Sequence, residues 1–286
     1  MKTENKIPEQ DTPVILSDNR FPVVGIGASA GGLEAFKKLI KAIPENSGMA
    51  YVLVQHLDPD HESILTNLLQ KVTKIKVSEI TDEIKVEPNH IYIIPSNKML
   101  VANDGVLKLS PRPERNKTDR NLPIDIFFNS LAEVHREHAI GVVLSGTASD
   151  GTLGLKAIKD NGGITFAQDE ISAAYDGMPK SAVLAGVVDF VLPPEEIPGK
   201  LLEIKNRAIL TDEELTKIAP EEEDVFRRIL ALLLTRKGTD FTHYKQTTIR
   251  RRIRRRMSLK DTEQTALYLN IYRKIKRNRM HYTKTF

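Results

Sequence analysis

Val23-Val24-Gly25-Ile26-Gly27-Ala28-Ser29-Ala30-Gly31-Gly32 runs a β-branched stretch straight into a turn of small residues, after which Leu33, Phe36, Leu39, Ile40 and Ile43 recur at helical spacing. A chain with this beginning is committed to a strand, a tight turn and a helix folded back on the strand. Gly27-Ala28-Ser29-Ala30-Gly31 also fits G-x-S-x-G, a turn whose glycines relieve strain and lift the serine hydroxyl clear of the sheet edge. Such a serine works only with a base and an orienting acid beside it. The same letters admit a second reading. Gly25-x-Gly27-x-x-Ala30 approximates a dinucleotide fingerprint, which would make this a nucleotide-binding α/β module without esterase activity. That reading needs an acid at the end of the second strand, yet Tyr51–Val54 ends in Gln55-His56 and Asp58 comes two residues late. A third reading is a glycine-rich turn that merely lets the helix approach the strand.

The rest of the chain alternates apolar runs with amphipathic stretches, which predicts an α/β fold with a mostly parallel, doubly wound sheet. Strands are expected at Val23–Ile26, Tyr51–Val54, Ile140–Leu144, Ile164–Ala167 and Val187–Leu192. His90–Pro95, Lys98–Val101 and Val106–Leu109 read as an antiparallel hairpin region, with Asp104-Gly105 supplying a φ > 0 turn. Ile124, Phe127, Phe128, Leu131 and Val134 mark one face of a helix, on whose polar side His135 and His138 are expected at the surface. A further helix ends near Gly162-Gly163, and Pro193-Pro194 opens one running to about Arg207.

Charge divides the 286 residues. Residues 1–220 hold 24 Lys and Arg against 31 Asp and Glu, net −7; residues 221–286 hold 18 against 7, net +11. Opposite signs point to two modules with different tasks. Residues 1–20 read as a flexible leader, 21–208 as the α/β domain, 209–224 as an acidic linker and 225–286 as a small basic α-helical module. No signal-peptide core or bilayer-length apolar run is present, so a cytoplasmic protein without membrane insertion is expected. Zero cysteines exclude disulfides, thiol catalysis and cysteine-ligated metal.

Ser29 follows one strand, His56 the next and Asp150 a later one. In parallel α/β sheets the carboxyl ends of the strands share one edge, where catalytic groups from distant positions converge. His56-Leu57-Asp58-Pro59-Asp60-His61 is one residue away from a metal-hydrolase pattern, but no further placed ligands accompany it, and no metal or cofactor is expected.

Gly25–Gly32, Val54-Gln55-His56-Leu57, Leu144-Ser145-Gly146-Thr147-Ala148-Ser149-Asp150-Gly151, Gln168-Asp169-Glu170 and Gly177-Met178-Pro179-Lys180 together resemble the catalytic domain of CheB-type chemotaxis methylesterases, in order, from about Phe21 to Lys205. The resemblance implies that Ser29, His56 and Asp150 form a triad hydrolysing glutamate γ-methyl esters on chemoreceptors, with backbone N–H groups at Ala30 and Thr147 binding the oxyanion. It also implies a related deamidation of receptor glutamine. The family usually carries Thr in place of Ala30 and Met in place of Thr147. If Thr147 acts through its backbone, its side chain is free to vary. Many members carry an N-terminal phospho-receiver domain; about twenty residues precede the first strand here, so an uncovered esterase is expected.

Phe226-Arg227-Arg228-Ile229-Leu230, Arg236–Phe241 and Ile249–Met257 resemble the small N-terminal helical domain of CheR-type receptor methyltransferases. The likeness fades after about Leu269, and no strand-loop-helix for S-adenosylmethionine follows, so no methyl transfer is expected. Ile249, Ile253 and Met257 recur at i, i+4 and i+8, a seam that docks the helix and leaves Arg250, Arg251, Arg252, Arg254, Arg255 and Arg256 outside. These six are candidates for docking an acidic, methylated receptor segment, a reading favoured over nucleic acid.

Overall fold

The computed structural model describes residues 21–55, 65–103, 105–111, 122–208, 220–237, 246–258, 262, 264–271 and 273. Residues 1–20, His56, Asp58, Asp60, His61, residues 112–121 and residues 209–219 lie outside these. Compact units divide at Pro198/Gly199.

The first unit is built on seven parallel strands in the order β10-β9-β8-β1-β2-β5-β3. Its centre is β1 (Val23–Ala28), flanked by β2 (Ala50–Gln55) and β8 (Ala139–Val143). All six residues of β1 and all five of β8 are buried, so both faces of the sheet are covered. From β1 the chain passes to β2, then to the edge strand β3 (Lys76–Glu79), and returns to insert β5 (His90–Ile93) between β2 and β3. It then crosses back to β8, β9 (Ile164–Gln168) and β10 (Phe190–Leu192). The direction of winding therefore reverses between β1 and β8. Helix α1 (Gly32–Lys41) buries Ala35, Phe36, Leu39 and Ile40, the stripe its sequence period predicts. The short α2 (Leu65–Gln70) follows β2.

Helix α3 (Pro123–His135) carries the main apolar face, with Phe127, Phe128 and Leu131 fully buried in one core with β2, β8 and α4 (Thr152–Asp160). Burying each of these side chains stabilises the fold by about 2 kcal/mol. Pro123 opens α3 where its missing N–H costs nothing. Helices α5 (Gly177–Leu184) and α6 (Ile197–Ala208) complete the elements of this stretch.

Two expectations are corrected. His90–Ile93 is not part of a hairpin: it is an interior parallel strand between β2 and β3, with all four residues buried. A short run buried on both faces has no alternation, so its partner cannot be read from its pattern. The antiparallel region is a separate sheet of β4 (Ile84–Lys85), β7 (Val106–Pro111) and β6 (Lys98–Asn103), where Gly105, at φ 73°, makes the turn between β6 and β7. His135 is not at the surface either; it is 4% exposed, because α3 ends there and a 3₁₀ turn, Arg136–His138, folds over into β8.

The second unit contains α7 (Pro220–Lys237) and α8 (Gln246–Ser258). Ile249, Ile253 and Met257 are buried against Phe226, Ile229 and Leu269, as the seam predicts.

Candidate active site

Ser29 sits at the carboxyl end of β1, where the direction of winding reverses and ligand sites of such sheets form. Its backbone is fixed at both ends. Ser29 N donates to Ser145 O at 2.9 Å, and Ser29 O accepts from Gly32 N at 2.9 Å. Gly31, at φ 73°, turns the chain into α1. The Ser29 side chain is part-exposed, and its hydroxyl has no hydrogen-bond partner among the described residues. Across from it runs the loop after β8. A Cβ on Gly146 would lie 3.0 Å from Ser29 Cβ, so this glycine leaves the room the serine occupies.

Ser145 ties three loops together. Its hydroxyl donates to Ala30 O at 2.9 Å and accepts from Tyr175 N at 3.0 Å, while its amide donates to Gln168 Oε1 at 2.8 Å. Gly146 N donates to Tyr175 O, and Gly146 O accepts from Met178 N, both at 2.9 Å. The turns after β1, β8 and β9 thus form one hydrogen-bonded rim. Sequence reasoning assigned no role to Ser145 or Gln168, although their positions at the ends of β8 and β9 were a signal.

The structure brings the expected oxyanion donors to this rim. Among the described residues, neither the Ala30 nor the Thr147 amide has an acceptor. Thr147 is exposed, and the following Ala148 holds φ 66°, a strained left-handed conformation for a residue with a side chain.

Asp150 is placed at the start of α3. Its Oδ2 accepts from Ile124 N at 3.1 Å and its Oδ1 from Asp125 N at 2.9 Å, and the residue is 3% exposed. Ile124 spans from this carboxylate to the serine turn: a Cβ on Gly27 would lie 2.4 Å from Ile124 Cγ2, and one on Gly151 would lie 2.9 Å from it. His56, one residue past β2, lies outside the described residues. Asp125, which sequence reasoning missed, accepts from Gly154 N at 2.7 Å. Burial pushes its carboxyl up to about 6, against the pull of the Gly154 hydrogen bond and with the push of the Asp150 charge.

The glycines of the dinucleotide-like pattern have another use. A Cβ on Gly25 would lie 2.8 Å from Phe128 Cε1 and 2.9 Å from Phe127 Cε1, and Gly27 faces Ile124. Both are small so that α3 can lie against β1, the packing reading of the turn. Among the described residues no three His, Asp or Glu side chains group to hold a metal ion, and no helix is long and apolar enough to cross a membrane.

In the second unit the docking candidates divide. Arg250 pairs with Glu223 and stacks on the Phe226 ring at 4.6 Å, and Arg254 lies 3.5 Å from Glu222. These two are engaged within the unit rather than left outside. Arg256 is exposed. The side chains of Arg251, Arg252 and Arg255 lie outside the described residues.

Residues 24–201 match the CheB methylesterase family, and residues 224–275 the all-alpha domain of CheR methyltransferases. A relative from Leptospira interrogans, whose name pairs protein-glutamate methylesterase with protein-glutamine glutaminase, is 34% identical over 178 residues, 62% of this chain and 91% of its own. A Burkholderia pseudomallei protein-glutamate methylesterase/protein-glutamine glutaminase is 35% identical over 187 residues, 65% of this chain and 54% of its own. The chain thus spans about half of that relative. The crystal structure of the Thermotoga maritima CheB methylesterase catalytic domain superposes with a TM-score of 0.60 at 31% identity, covering 65% of this chain and 100% of that one. With the family match extending from the second residue of β1 into α6, the chain belongs to the CheB methylesterase family.

Proposed function

We propose that this chain hydrolyses glutamate γ-methyl esters on the cytoplasmic domain of chemoreceptors, releasing methanol, and deamidates receptor glutamine through the same acyl intermediate. Ser29 Oγ attacks the ester carbonyl while His56 takes its proton. The Ala30 and Thr147 amides receive the oxyanion, each worth about 3 kcal/mol in related chemistry. His56 returns the proton to the departing methanol, and water then frees the acyl-enzyme. Asp150 orients the imidazole. Its Oδ1 and Oδ2 each accept one amide in the first turn of α3, which holds the carboxylate in a fixed orientation. The protein acts in the cytoplasm, and the exposed arginines of α8 dock the acidic methylated segment.

The observation that carries this reading is Ser29 itself. It is a part-exposed hydroxyl at the switch point, with two amides, Ala30 in its own turn and Thr147 in the turn after β8, that have no acceptor among the described residues. The test is methanol release from a methylated receptor fragment. Ser29→Ala is expected to lose several orders of magnitude in rate while keeping its fold, checked by circular dichroism. A normal rate in that variant would remove the serine from the mechanism.

A further inference from the structure

Helices α3 and α4 start against each other's acids. Asp150, just before α4, accepts the Ile124 and Asp125 amides in the first turn of α3; Asp125, in that turn, accepts the Gly154 amide in the first turn of α4. Neither helix is capped by its own N-cap side chain, since Leu122 and Gly151 occupy those positions without a side-chain bond. Each is capped by the other's carboxylate. The fit is close: a Cβ on Gly154 would lie 2.4 Å from Phe128 Cβ and 3.2 Å from the Asp125 backbone.

Capping alone does not call for two acids here. The Gly151 and Leu153 amides also draw on the Asp125 carboxyl, yet Asn and Ser cap a helix about as well as Asp, and both carboxylates are buried, Asp125 at 5% and Asp150 at 3% exposure. Two like charges side by side in a dry site oppose each other. Among the described residues Asp150 is the charged side chain that acts on Asp125, from the loop between β8 and α4. A second negative charge is useful where a positive charge must form, and in the proposed reaction one forms on the ring that Asp150 orients.

We propose that Asp125 is a positioning residue for ester hydrolysis: its carboxylate pins the start of α4, and with it Asp150, while its charge beside Asp150 supports the protonated base. This rests on the Ser29–His56–Asp150 reading. Asp125 does not touch the ester. It acts through Asp150.

A pH signature follows. Burial, reinforced by Asp150, lifts the Asp125 carboxyl to about 6, into the range where an imidazole titrates. A proton taken up by either group lowers the other's affinity, so the acid limb of kcat/KM is broader than a one-proton curve. Asp125→Asn keeps an acceptor for the Gly154 amide and removes the charge. It is expected to give a simple one-proton limb displaced to lower pH by about half to one unit. Its plateau rate should fall by up to about tenfold, the equivalent of one pKa unit. Asp125→Ser, a shorter polar cap, is the second arm if the Asn protein does not fold. The His56 ring titration, followed by NMR in Ser29→Ala protein with and without Asp125→Asn, should show the same downward displacement without any turnover. An acid limb and a ring titration unchanged by the loss of charge would overturn the inference, leaving Asp125 a helix cap. If Ser29→Ala is active, the triad reading fails instead, so the two failures are distinguishable.

Discussion

Gly146 is packed between Met178 and Ser29. A methyl group there would lie 2.1 Å from Met178 Sδ and 3.0 Å from Ser29 Cβ, so the methionine must move and the serine is pressed by the same substitution. Overpacking costs about 1–3 kcal/mol, and a displacement of roughly 1 Å in a catalytic group costs on the order of 100-fold in rate. Gly146→Ala should therefore lower both Tm and methanol release, the latter more than the stability loss explains; an unaltered rate would mean that Ser29 is not held by this contact. His135 makes a different prediction. Both its ring nitrogens lack a hydrogen-bond partner among the described residues, and burial, with His138 adding, holds the ring down to about 4. The unfolded chain protonates near 6.5, so the stabilisation is complete above that pH and is lost as pH falls toward 4, about 2 kcal/mol of it by pH 5. Asp125, lifted to about 6, works in the opposite sense between 6 and its ordinary range. Urea unfolding at pH 7 and pH 5 should thus show a smaller loss for His135→Leu than for wild type; equal losses would mean that the buried ring is not the titrating group. Ser29 was legible because a nucleophile turn is a local pattern. Asp125 and His135 were not, since their environments are made by elements distant in sequence.

The rim around Ser29 is made by the ends of three strands, and its stiffness comes from one hydroxyl. Ser145→Ala removes the donor to Ala30 O and the acceptor for Tyr175 N, leaving two part-buried backbone groups unpaired. Such a loss costs about 1–3 kcal/mol. It should raise amide exchange at Tyr175 and lower kcat on the receptor fragment by loosening the turn after β1. Unchanged exchange at Tyr175 would show that the neighbouring Gly146 bonds suffice. This network illustrates what sequence reading captures at the level of elements. β1, β2, β8 and β9 announced themselves as apolar runs ending in polar turns, and α3 as a periodic face. β5 misled, because His90–Ile93 is buried on both sides and its pairing with β2 and β3 is decided by the sheet, not by the strand. The charged and short β3 and β4 carry too little pattern to announce themselves at all.

The chain changes sign from net −7 over residues 1–220 to net +11 over residues 221–286, a division legible from composition alone. The apolar seam of α8 was legible from its i, i+4 recurrence, whereas the fate of each arginine was not: Arg250 meets Glu223 across 27 residues of sequence. That pairing, with the Phe226 ring beneath the guanidinium, gives Arg250 a task inside the unit and leaves exposed residues such as Arg256 to face a partner. Exposed charge pairs are worth only about 0–1 kcal/mol each. Acting together, they steer association with an acidic surface at low salt and lose that effect as salt screens them. Deleting residues 220–286 should leave hydrolysis of a short glutamate γ-methyl ester peptide intact and raise KM for the receptor fragment, with the difference shrinking as salt rises. Arg256→Glu should reproduce part of the KM effect without lowering Tm, whereas Arg250→Glu should lower Tm, since it sets a carboxylate against Glu223. S-adenosylmethionine should not bind to either form. An unchanged KM after deletion would assign the arginines to solvent or to nucleic acid, and binding of S-adenosylmethionine by the full chain would refute the reading of this unit as a docking module.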